Sequence, residues 1–152
     1  MASNSIKILE ENGLSKTEVR KKVLNLFIDS ACALSLSDIE AAFSKIDRIT
    51  LYRTLKTFEN KGIIHKAVDG TNHPKYAICE ASCSEHKHED DHAHFHCLSC
   101  GKTVCFEHVP NPAIPELLNG YVVEEATLIL SGTCKACLVQ KNSRISITET
   151  LE

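Results

Sequence analysis

Two C-x-x-C pairs, Cys97 with Cys100 and Cys134 with Cys137, constrain this 152-residue chain more than any other feature of it, and Gly101 follows the first pair directly. Four thiolates carried on two loops from separate parts of a chain close a tetrahedral cage around one zinc ion. The gap between the pairs exceeds that of the usual zinc ribbon, so the cage is expected to staple a whole small domain rather than one hairpin. Forming such a site contributes about 10–16 kcal/mol near neutral pH, comparable to the entire stability of a small domain. Loss of any one of the four thiols is therefore expected to unfold the second half of the protein.

A chain of this length makes one ordinary domain or two small ones, and a core that small needs a metal or a partner subunit. Its eight cysteines would also fit a secreted disulfide framework, but residues 1–11 are polar, with scattered isoleucine and leucine and no apolar signal segment. No apolar run approaches the roughly 20 residues that a membrane span needs. The reading is a cytoplasmic protein that uses its thiols for metal. Net charge is −3, yet residues 1–75 hold 12 Lys and Arg against 9 Asp and Glu, and residues 76–152 hold 5 against 11. Halves of +3 and −6 fit a basic module facing DNA joined to an acidic, metal-attracting one. There is no nucleophile elbow and no phosphate-cradling glycine loop, so neither an enzyme nor a small-molecule substrate is expected.

The first half reads as a winged helix-turn-helix. Val19, Val23, Leu26 and Phe27 share one face of a helix over residues 17–30. A capping box of Ser37 and Glu40 starts a second helix at Ser37. A third, over residues 49–60, buries Leu51, Leu55 and Phe58 and ends at Gly62. Residues 63–67 and 75–79, separated by Asp69-Gly70, form a hairpin wing. The third helix turns Tyr52, Arg53 and Lys56 away from its core stripe. An arginine pairs with guanine O6 and N7, a tyrosine ring packs on a thymine methyl, and a lysine neutralises phosphate, so this face fits double-stranded DNA.

The segment R-I-T-L-Y-R-T-L at residues 48–55, K-G-I-I at 61–64, and H-A-H-F-H-C-L-S-C-G-K at 92–102, with the second C-x-x-C, together resemble the ferric uptake regulator (Fur) family over residues 8–140. The resemblance implies an α+β protein with an N-terminal winged-helix domain, expected over residues 1–80, and a zinc-stapled α/β dimerisation domain, expected over 92–140; composition adds a polar His-rich hinge (81–91) and a flexible tail (141–152). Strands would cover 95–97, 103–106 and 121–130, with a short helix at 113–118. Pro110, Pro112 and Pro115 mark the loop before it. The resemblance also implies a homodimeric, metal-responsive repressor on a pseudo-palindromic operator, with Thr50, Tyr52 and Arg53 in the base-reading helix. Where the family places a lysine after the Gly-Leu preceding the first of these helices, this chain has Ser15, and Lys16 beside it stands nearest that minor-groove role.

A second, regulatory zinc is expected from His65, Cys79 and His92, with either His94 or Cys105 as fourth ligand, gathered where the two domains meet. Thiolate and imidazole suit zinc, whereas ferrous sensors prefer nitrogen with carboxylate oxygen. The iron-type ligand positions read Ala33 or Leu34, Ala77 and Cys105, and Cys79 matches a cysteine ligand of the zinc uptake regulator (Zur) branch. The family's additional site is not expected, because two of its positions are Ala93 and Ala126, leaving Asp91. An iron- or peroxide-responsive regulator is the alternative within the family. Outside it stand a zinc-storage protein built on the His-rich segment at 83–91 and a thiol oxidoreductase; the latter has no thioredoxin-like βαβ pattern behind it.

Overall fold

The computed structural model describes residues 2–79, 92–109 and 118–148, with the side chains of residues 4–79, 92–109 and 118–143. The hinge segment at 81–91 with Asp91, and residues 113–117 of the expected short helix, lie outside the described residues. Among those described, no helix is long and apolar enough to cross a membrane.

Helix α1 (Ala2–Glu11) comes from a segment that reads as merely polar. A narrow stripe suffices to dock it on the next helix: Ser5 and Leu9 are fully buried and Ile8 packs beside them. It ends in a Schellman turn, Gly13 N–H to Glu10 and Leu14 N–H to Leu9, with Gly13 at φ +65°. Helix α2 (Glu18–Asp29) starts at Thr17, whose hydroxyl accepts the Arg20 N–H, and buries Val23, Leu24 and Phe27.

Helix α3 (Leu36–Ala42) corrects the sequence reading. Its capping box is Ser35 with Asp38, two residues ahead of the expected Ser37 and Glu40. The Asp38 carboxylate reaches back to both the N–H and the hydroxyl of Ser35 at 2.9 and 2.6 Å, which leaves Glu40 for another task. Helix α4 (Arg48–Asn60) is capped by Asp47 and buries Leu51, Thr54, Leu55 and Phe58. Its Schellman end uses Gly62 at φ +70°, as expected, and seats Ile63 on Phe58 in the core.

Strand β1 (Leu34–Ser35) joins the wing strands β2 (Ile64–Lys66) and β3 (Lys75–Ile78) in an antiparallel sheet of order β1-β3-β2. The second sheet, of order β5-β4-β6, pairs β4 (Ala93–Cys97) antiparallel with β5 (Thr103–Phe106) and parallel with β6 (Ile129–Gly132). Residues 121–128 are not strand, contrary to expectation: β6 starts only at Ile129, and Tyr121 and Val122 are 79% and 91% exposed. Helix α5 (Lys135–Thr148) continues past Gln140, where the sequence reading begins a frayed tail.

Candidate metal centres and nucleic-acid interface

The second sheet builds the four-cysteine cage. Parallel pairing sets Gly132 beside Cys97, which delivers Cys134 close enough for its N–H to donate to Cys97 Sγ at 3.3 Å. Cys137 lies in the first turn of α5, and Cys100 in the turn between β4 and β5. The four sulfurs lie within 4.8 Å of one another, with Cys97–Cys137 at 4.0 Å and Cys100–Cys134 at 3.9 Å. Tetrahedral zinc with bonds of about 2.3 Å needs sulfurs about 3.8 Å apart, far beyond a disulfide's length of about 2.05 Å. Electrostatics agree. Backbone N–H groups, that of Cys134 first, hold the Cys97 thiol down to about 6 against burial. The hydrogen bond with Cys134, burial and the neighbouring sulfurs push Cys137 up to about 12. Four crowded thiols cannot all ionise without a cation among them, and the set fits zinc.

A second cluster forms where the two halves meet. Side chains alternate along a strand, so His92, His94 and His96 share one face at and within β4. His94 stands opposite Cys105 in the antiparallel register, and β2 of the wing brings His65 against them. His65, His92, His94 and Cys105 each offer a ligand atom within 4.8 Å of all the others. The rings of His92 and His94 are centred 4.8 Å apart, and His65 lies 5.2 and 5.8 Å from them. All three imidazoles are buried. His92 Nε2 has no hydrogen-bond partner among the described residues, the condition a bound metal relieves. Cys105 Sγ lies 3.4 Å from His65 Nε2, and Cys79 Sγ lies 3.4 Å from the opposite ring nitrogen, Nδ1. Of the expected ligands, both His94 and Cys105 thus join the mutual set, while Cys79 lies against His65. Three imidazoles and a thiol, with no carboxylate among the described members, fit zinc.

Beside this cluster runs a polar joint that the sequence reading omits. Asp69, in the turn of the wing, receives Lys75 Nζ at 2.7 Å, the Thr103 hydroxyl at 2.6 Å and the Thr71 hydroxyl at 2.6 Å. Lys75 also donates to Gly101 O at 2.7 Å, next to the cage, and His96 Nδ1 sits 3.4 Å from Asp69. Burial raises the Asp69 carboxyl, but the hydrogen bonds from Lys75, Thr103 and Thr71 outweigh it and hold the group well below the usual carboxylate range. Ala33 N–H donating to Thr103 O at 2.8 Å ties the halves again. A sequence signal existed in the period-two histidines and in an Asp and a Lys flanking one turn.

On α4, Thr50, Tyr52, Arg53 and Lys56 are all exposed. Arg53 lines a groove of about 340 Å³ with Ser15, Thr17 and Arg20 from the start of α2. The Thr50 N–H and hydroxyl serve the Asp47 cap at 2.9 and 3.0 Å, and Lys16 pairs with Glu10 at 2.6 Å. Arg48 and Glu40, to which the sequence reading gave no part in DNA contact, lie beside Tyr52 on the same surface.

The ferric uptake regulator family model matches residues 11–128 of this chain. A ferric uptake regulation protein of Staphylococcus epidermidis is 31% identical over 145 residues, covering 93% of this chain and 98% of that protein. Two solved structures share the fold. One, a zinc uptake regulator complexed with zinc and DNA, aligns with TM-score 0.60 at 21% identity over 93% of this chain and 95% of its own. The other, the Helicobacter pylori ferric uptake regulator with three functional metal binding sites, aligns with TM-score 0.54 at 21% identity over 91% and 94%.

Proposed function

The chain belongs to the ferric uptake regulator family of metal-responsive, DNA-binding transcription regulators, which are not enzymes, and we propose that within it this protein is a zinc-responsive repressor of metal-uptake genes. The observation that carries the proposal is the buried cluster of His65, His92, His94 and Cys105, which takes one ligand from the winged helix and three from the second sheet. Thiolate with imidazole is a zinc donor set.

The residues divide the work in two. Cys97, Cys100, Cys134 and Cys137 hold a structural zinc that fixes β4, β6 and α5 as one unit. His65, His92, His94 and Cys105 hold the regulatory ion, with Cys79 backing His65. A bound zinc supplies the positive charge and directed bonds that join these four side chains across the two halves. His65 enters from the wing, so the occupied arrangement favours one orientation of the winged helix, and affinity for that orientation biases the population toward it. The halves then present α4 to DNA, Tyr52 and Arg53 reading base edges and Lys56 and Arg20 contacting phosphate. Lys16 reaches a minor groove by leaving Glu10. A homodimer presents two such helices to a pseudo-palindromic operator.

An iron-responsive regulator is the second reading, favoured by the name of the staphylococcal relative. Zinc release to chelators of graded strength separates the two. The zinc reading expects one inert and one exchangeable zinc per chain, with the exchangeable ion alone lost in His92→Ala. A single inert zinc, with ferrous iron needed for operator binding, would establish the iron reading instead.

A further inference from the structure

Helix α4 is not free on the side facing α3. Glu40, in the last turn of α3, places one carboxylate oxygen, Oε1, 2.7 Å from Arg48 Nε and 3.1 Å from the Tyr52 hydroxyl, both of which donate to it. The Arg48 guanidinium lies 5.8 Å from the centre of the Tyr52 ring. Arg48 and Tyr52 are four residues apart and so stack on one helical face, adjoining Arg53 and Lys56. Three side chains from two helices close a triangle at the N-terminal end of α4, the end that reaches deepest into a groove in helix-turn-helix complexes.

Stability does not account for it, since the Arg48 side chain is 71% exposed and Glu40 31%, and ion pairs so exposed contribute little. Nor does capping, since Ser35 with Asp38 caps α3 and Asp47 caps α4. A carboxylate on a surface that approaches phosphates works against affinity for any duplex. What it does instead is set two neighbours. Arg48 beside Glu40 has no uncompensated charge to offer a passing phosphate. Tyr52, with its proton committed to the carboxylate, keeps a fixed ring direction, and its oxygen lone pairs remain available to accept from a base.

We propose that Glu40 is a specificity-determining residue of DNA reading: it cancels Arg48 against generic duplex and orients Tyr52 for base contact. The inference rests on the DNA-reading role of α4 proposed above. Glu40→Gln keeps an acceptor oxygen at the same reach and removes the charge; Glu40→Ala removes both. Zinc-loaded full-length proteins are titrated, across a range of salt, with a duplex that the wild type selects from a randomised pool and with a scrambled duplex of equal length. Glu40→Gln is expected to tighten the scrambled complex, steepening its logarithmic salt slope by about 0.9 and narrowing the selected-to-scrambled ratio about fivefold at 0.15 M salt, the yield of one extra phosphate contact. Glu40→Ala is expected to weaken the selected complex further, through the released Tyr52. Equal shifts on both duplexes with unchanged slopes would overturn the proposal while leaving α4 as the reading helix. A wild type that selects no sequence would overturn that premise and this inference together.

Discussion

His65 has a sulfur at each ring nitrogen, Cys105 at Nε2 and Cys79 at Nδ1. An imidazole binds a metal through one nitrogen and anchors an outer partner through the other, so the two cysteines cannot play the same part toward one ion. The mutual cluster among the described residues contains Cys105, so the reading proposed above takes Cys105 as the ligand and Cys79 as the support. With zinc kept in the cage and cobalt(II) in the second site, Cys105→Ser should abolish the thiolate-to-cobalt charge-transfer band. Cys79→Ser should keep the band and lower affinity about 10–100-fold, the usual cost of losing an outer partner. A band that disappears in Cys79→Ser and survives in Cys105→Ser would reverse the two roles. Sequence spacing picks out all five candidates and cannot choose among them. The distinction arises only when β2, the end of β3 and β5 converge on a single ring.

At the level of elements, the Asp69–Lys75 pair ties the turn of the wing to Gly101 and Thr103 of the second half. The Asp69 side chain is 1% exposed and that of Lys75 12%. Removing one member of a buried pair leaves the other charge uncompensated, so Asp69→Asn should cost about 3–5 kcal/mol in urea unfolding. A loss under about 1 kcal/mol, the value of an exposed pair, would contradict the account. The pH dependence has a definite sign. The folded carboxyl is depressed, so its contribution is complete above the unfolded value of about 3.9 and is lost as pH falls below that toward the folded value. The Asp69–Lys75 half of this joint left a signal in two charged residues flanking one turn, but its partners His96 and Thr103 were illegible because they reach it only from the second sheet. Helices α2 and α4 were legible because their apolar residues recur at helical spacing. Helix α1 was not, because one leucine and a small residue are enough to dock it. Ser35-x-x-Asp38 and Ser37-x-x-Glu40 are overlapping capping boxes. The backbone uses the first, and Glu40 turns to Arg48 and Tyr52.

On the scale of the whole molecule, the β-rich residues 121–128 read as strand, whereas the pairing with β4 begins at Leu128, whose carbonyl accepts the His94 N–H at 3.0 Å, and continues as β6 from Ile129. Exposed Tyr121, Val122, Val123 and Leu130 on a regulator with two small sheets fit an interface with a second copy. Val122→Lys should therefore shift the protein from dimer to monomer in sedimentation while leaving both zinc sites filled; an unchanged dimer would place the interface elsewhere. On the zinc-responsive reading proposed above, the cage gives the dimer its fold and the His65, His92, His94 and Cys105 cluster gives its response to metal. The most direct test is the anisotropy of a selected, labelled duplex at fixed protein, titrated with buffered free zinc from a state in which only the cage is filled. The account predicts that DNA binding rises as the second zinc loads and that the rise is absent in His94→Ala. DNA affinity indifferent to the second zinc, or the same rise in His94→Ala, would contradict it.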